Sequence, residues 1–136
     1  MSDSQEQATA RLLLLLASFG HTVSSAMAKA TGEPDLVGNT PILIMSSIEL
    51  AGPKRPSELT EVTGLSSGGL SKVLDRMEAL GAISRKRGVV PGDGRAVLVS
   101  LTERGHRLIR SMRKELTARL PESRALVAEI ARVIEL

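Results

Sequence analysis

Cysteine is absent from the 136 residues. Disulfides, thiol redox sensing and cysteine-ligated zinc are thereby excluded, and a reducing compartment fits. Tryptophan and tyrosine are absent too, and Phe19 is the single aromatic residue. Stacking of bases on an aromatic platform, as single-strand binders use, is excluded with them. His21 and His106 are the only histidines, too few for a structural zinc set without cysteine, so neither metal nor cofactor is expected. The apolar run Leu12–Leu16 breaks at Ser18, Gly20 and His21 and follows Asp3, Glu6 and a lone Arg11. Neither a secretory signal nor a membrane span is expected from it, even though Ala26-Met27-Ala28 imitates a cleavage site. The expectation is a cytoplasmic protein without a membrane partner.

What is present is ordinary in bulk and uneven in distribution. Hydrophobic residues make up 42% and charged residues 24%, enough apolar material for one core in a single domain over residues 1–136. The net charge of +3 conceals a partition. Residues 1–50 hold two basic and five acidic side chains, whereas residues 51–110 hold eleven basic and six acidic ones. A basic middle behind an acidic start points to an anionic partner for the middle.

Apolar residues at Leu12, Leu16, Phe19, Val23, Met27 and Ala30 alternate steps of three and four, one stripe of a long helix ending at Gly32 and Pro34. Asn39 or Thr40 can cap a second helix, with Pro41 at its first position, running to Gly52-Pro53. A short third helix spans Pro56 to Gly64, and a fourth runs from Ser66 or Ser67 to Leu80. The period then changes. Ala82–Val90 and Arg95–Leu101 read as strands around the turn Pro91-Gly92-Asp93-Gly94. Thr102 can cap a fifth helix bearing Leu108, Met112, Leu116 and Leu120, and Pro121 opens a last one through Ile130 and Ile134. The fold class expected is mainly α with one small β-hairpin.

Residues 54–101 carry the chemistry. Leu59 and Val62 share a face of the third helix, Leu65 plugs a turn made at Gly64, and Leu70, Val73, Leu74 and Met77 bury the fourth. That is the arrangement of a helix-turn-helix. The outer face of the fourth helix presents Ser66, Ser67, Gly68, Gly69, Ser71, Lys72 and Arg76. Small residues allow close approach in a major groove, and hydroxyls and cations reach bases or phosphates. Two glycines at the start of that helix weaken it and leave few side chains to specify bases, so DNA shape contributes to specificity. The hairpin adds Arg85, Lys86, Arg87 and Arg95, a basic wing beside a reading helix. Gly64-Leu65-Ser66-Ser67-Gly68 also fits the G-x-S-x-G pattern of serine hydrolases. That elbow needs a parallel sheet and a downstream acid and histidine, so no enzyme is expected. The rival class is a winged helix that docks another protein, which would favour exposed apolar residues over the cations Lys72, Arg76, Arg87 and Arg95.

Gly64-Leu65-Ser66-Ser67, the run Leu74 to Ile83, and Asp93-Gly94-Arg95 followed by Leu101-Thr102-Glu103-Arg104-Gly105 resemble the MarR family of bacterial transcriptional regulators, most clearly over residues 54–110. The resemblance implies a winged helix-turn-helix at 54–101 between dimerisation helices at 1–35 and 103–136. It implies a homodimer on pseudo-palindromic double-stranded DNA; because a bound dimer can block polymerase, a repressor is expected, with activation left open. Arg95 would touch DNA from the wing tip while Asp93 holds the wing's shape; the bland readings are a turn former at Asp93 and an Arg95–Asp93 ion pair. Many relatives sense aromatic compounds or oxidants. Without cysteine, and with Phe19 alone for ring contacts, a small-molecule effector is left open.

Overall fold

The computed structural model describes residues 2–135. Helix α1 (Asp3–Thr31) starts at a capping box, in which the Ser2 hydroxyl accepts from the Gln5 amide, and stops where Gly32 turns left-handed at φ 67°. It runs unbroken through Ser18, Gly20 and His21 and ends at Gly32, as the long helix expected from the sequence. By length and composition alone α1 could cross a membrane, but here it packs along two later helices. The expected stripe is split. Val23 and Met27 are buried and Leu12 and Phe19 half-buried, while Leu16 and Ala30 face outward.

A 3₁₀ turn (Pro34–Leu36) leads to α2 (Asn39–Ala51). Gly38, not Asn39 or Thr40, occupies its cap with extended backbone and no side-chain cap bond, which puts Pro41 third in the helix. Ile44, Met45 and Ile48 from α2 fill the centre of the core. Helices α3 (Pro56–Thr63) and α4 (Ser67–Ala79) join through Gly64, left-handed at φ 72°. Leu59, Leu70, Leu74 and Met77 are buried, with Leu65 and Val73 packed against them. Val62 is the exception to the expected pattern. Three residues on from Leu59 it has rotated to the rim of α3 and is exposed.

Strands β1 (Ile83–Arg87) and β2 (Val97–Leu101) pair antiparallel, from Ile83 opposite Leu101 to Arg87 opposite Val97. Both are shorter than the sequence suggests. Gly88, at φ 74°, takes the chain out of the ladder before Val89 and Val90, and β2 begins two residues after Arg95. Lys54 adds an unanticipated single rung on the other edge of β2, exchanging both backbone hydrogen bonds with Val99 at 3.0 and 2.7 Å.

Helix α5 (Glu103–Arg119) is capped by Thr102, whose hydroxyl accepts from the Gly105 amide at 2.9 Å and donates to the Gly81 carbonyl. Pro121 does not open the last helix. It sits in a 3₁₀ turn (Leu120–Ser123), and α6 (Arg124–Glu135) follows. Helices α5 and α6 both lie against α1. Glu129 of α6 is buried against α1, where it accepts from Arg11 at 3.0 Å and from Arg132 at 3.4 Å. The outward side of the same helix shows Val127, Ile130 and Ile134, and α1 shows Leu13, Leu14 and Leu16.

Candidate nucleic-acid interface

The start of α4 is set by Ser66, whose hydroxyl accepts from the Gly69 amide at 3.1 Å. This capping bond satisfies one of the amides that a helix start leaves free. Beyond it, Ser67, Gly68, Ser71, Lys72 and Arg76 are exposed along one side of the helix. The two glycines differ in what they do. A Cβ on Gly69 would come within 3.2 Å of the Ser66 hydroxyl, whereas one on Gly68 would meet nothing within 4 Å. Packing within the chain therefore does not require glycine at 68.

The wing is shaped by one side chain. Asp93 Oδ1 accepts from the backbone amides of Arg95 and Ala96, at 3.1 and 3.2 Å, and the Asp93 amide bonds the Val90 carbonyl. Asp93 therefore holds backbone, and the Arg95 guanidinium is not tied to it.

The cations fall into two groups. Lys72, Lys86, Arg87 and Arg95 form no ion pair among the described residues. Arg76 meets Asp35 of the connector at 2.6 Å, with both side chains more than half exposed. Arg85 is held more firmly. Its Nη2 reaches Asp75 at 2.6 Å and Glu78 at 3.1 Å, and its backbone amide donates to Glu78 Oε2 at 3.0 Å. The Arg85 side-chain bond, then the Arg85 amide, hold the Glu78 carboxyl below the ordinary carboxylate range. The same bonds, to Glu78 first and then Asp75, push the guanidinium up. A lowered carboxyl stabilises the fold above its unfolded value and ceases to as pH falls through the folded one.

The structure thus brings Ser66, Ser67, Gly68, Gly69, Ser71, Lys72 and Arg76 together on one helix, with Arg87, Asp93 and Arg95 on the adjoining hairpin. Three partners were missed from sequence: Asp35 for Arg76, and Asp75 and Glu78 for Arg85. Asp75 and Glu78 stand three apart on one helix face, a spacing that could have marked them as a paired acidic site. Between α3, α4 and the hairpin lies a cleft of about 500 Å³ whose lining includes Thr60, Ser71, Glu78, Arg85 and Arg87.

Residues 39–96 match the MarR family. No curated protein sequence matches the chain significantly. Among solved structures, the chain is similar to RV1404 from Mycobacterium tuberculosis, at 19% identity and a TM-score of 0.70, over 99% of this chain and 82% of that one. A MarR mutant from E. coli, complexed with operator DNA, is 22% identical with a TM-score of 0.62, over 92% and 91% of the two chains. The transcriptional repressor CouR, bound to a 23-mer DNA duplex, is 17% identical with a TM-score of 0.61, over 82% and 84%.

Proposed function

For a chain with MarR-family sequence over residues 39–96 and the fold of the winged-helix MarR regulators, we propose a homodimeric, non-catalytic transcriptional repressor of the cytoplasm. It binds pseudo-palindromic double-stranded DNA. The observation that carries this reading is the set of exposed, unpaired cations Lys72, Arg87 and Arg95 around the small-residue start of α4. Ser66, Ser67, Gly68, Gly69, Ser71 and Lys72 enter the major groove, and Arg95 reaches the adjacent minor groove from the wing. Two such units side by side cover both halves of the site and block polymerase. The relatives bound to operator DNA and to a DNA duplex support the duplex partner. The cleft between α4 and the wing gives a small-molecule effector a place from which to shift one against the other.

The test is retention of genomic fragments by the purified protein, followed by affinity measurements on the tightest fragment across salt. Log K should fall against log salt by about 0.9 for each phosphate neutralised. Binding unchanged between low and physiological salt would argue instead for a protein-docking winged helix. Arg95→Ala should weaken binding about tenfold, about 1.4 kcal/mol, most at A·T-rich flanks whose narrow minor groove attracts arginine. Its melting temperature should stay near that of the wild type, because Asp93 bonds the Arg95 backbone rather than its side chain. Asp93→Ala should lower both.

Gly68 yields a second expectation. Gly68→Ala adds a methyl group into open space on a helix, so stability should rise by up to about 1 kcal/mol. DNA affinity should nevertheless fall, because the methyl group stands between the helix and the groove floor. Paired melting and binding curves check this, and a variant that gains stability without losing affinity would place Gly68 outside the contact.

A further inference from the structure

We propose that Arg85 is a positioning residue: gripped by Asp75 and Glu78, it fixes the angle of the wing to α4 so that Arg95 meets the duplex in step with the reading helix. This rests on the DNA-binding reading above.

Arg85 belongs to the basic set that sequence alone would send to phosphate, but its surroundings forbid that role. Its side chain is only 26% exposed, and its guanidinium faces two carboxylates. Three groups with one net negative charge repel a phosphate. The attachment is also of an unusual kind for a surface pair. Glu78 takes both the side chain and the backbone amide of Arg85, so strand β1 itself, and not merely a flexible side chain, is fastened to α4.

The place of that fastening matters. Arg85 lies opposite Val99 in the hairpin, and Val99 in turn exchanges both backbone bonds with Lys54, just ahead of α3. One rung therefore crosses from α4 through β1 and β2 to the entry of α3. Beyond this rung two more pairs, Lys86–Leu98 and Arg87–Val97, lead out to the exposed turn that carries Arg95. Arg95 stands four residues from Val99, a lever of roughly 10–13 Å at the rise of a strand. A 10° swing about the rung would carry the tip about 2 Å, more than a hydrogen bond tolerates.

A double-mutant cycle on the full chain separates positioning from simple stabilisation. The probe is a synthetic duplex carrying the genomic fragment that the wild type retains most tightly. In the wild type, Arg95→Ala should cost about tenfold. In Glu78→Gln that cost should shrink below about twofold, because a wing no longer aimed has little contact to lose. Arg85→Lys keeps the charge but cannot reach both carboxylates, and should behave like Glu78→Gln. Melting temperatures of both variants should stay close to the wild type, as expected for a partly exposed ion pair.

Additive losses in the cycle would overturn the proposal, as would wild-type affinity in Arg85→Lys. Failure of both variants to fold would also overturn it, by making the brace a stability element. If Arg95→Ala costs nothing in the wild-type background, the wing contact itself fails, and positioning has nothing left to position.

Discussion

Gly105→Ala should lower stability by about 3 kcal/mol or more, the largest effect expected of any single methyl group in this chain. A Cβ at this position would lie 2.0 Å from the Ala82 carbonyl oxygen, 3.0 Å from its carbon and 3.2 Å from Leu101 Cδ2. The first two obstacles are backbone, so no rotamer change relieves them. Only retreat of the first turn of α5 would. That retreat breaks the Thr102 amide bond to the Ala82 carbonyl and the hydroxyl bond to Gly81, both buried or half-buried, and opens the core beside Leu108 and Ile109. The Leu101-Thr102-Glu103-Arg104-Gly105 motif thus has a mechanical reason. Threonine caps the helix, and glycine lets it sit directly on the chain between α4 and β1. Thermal unfolding followed by circular dichroism checks this, with a midpoint at least ten degrees below wild type expected. A midpoint within two degrees would mean that α5 does not approach so closely.

Ile130→Glu, alone or with Val127→Glu, should leave a folded monomer whose operator affinity is down about a hundredfold. Both side chains lie outside the buried core cluster, 39% and 59% exposed, so the substitutions take little from the core of the single chain. Together with Ile134, and with Leu13 and Leu16 of α1, they form apolar surface that a solitary soluble chain gains nothing by exposing. In the proposed dimer that surface is covered, and a buried glutamate without a partner opposes association. The binding loss follows from linkage. Two reading helices on one rigid dimer engage the second half-site at high effective concentration, an advantage of about 10²–10⁴. Sedimentation and operator titration on one preparation decide the matter. A wild type that sediments as a monomer, or a variant that remains dimeric, would remove this surface from assembly.

The helices and hairpin were legible because their determinants are local. Gly32 and Gly64 mark helix ends, Ser66 and Thr102 cap helix starts, and Pro91-Gly92-Asp93-Gly94 announces a turn. What sequence misplaced depends on neighbours or on a single dihedral. Gly88 ends β1 early by taking a left-handed conformation, yet within an alternating run it reads like any strand residue. Pro121 fits the first turn of an α-helix and of a 3₁₀ turn equally well, so it could not locate the start of α6. Lys54 joins the sheet by one rung, too short for any periodicity. The candidate contact residues were readable as a surface, since helical spacing alone puts Ser67, Ser71 and Lys72 on one side. Which cations are free was not. Arg76 and Arg85 look like Arg87 and Arg95 in sequence, and they differ only because Asp35, Asp75 and Glu78 come to them in the fold.

Helix α6 is keyed on one side and plain on the other. On the inner side Glu129, nine-tenths buried, must meet Arg11. Sliding α6 along α1 by one turn would part Glu129 from Arg11 and leave the buried carboxylate only the longer contact to Arg132 of its own helix. The exposed aliphatic residues Val127, Ile130 and Ile134 carry no such key. A lineage carrying several copies of this chain could therefore rewrite the outer side until the copies ignore one another. The inner key would meanwhile keep every α6 seated at the same depth. In the proposed dimer, partner choice and fold are thus written on adjoining faces of the same twelve residues.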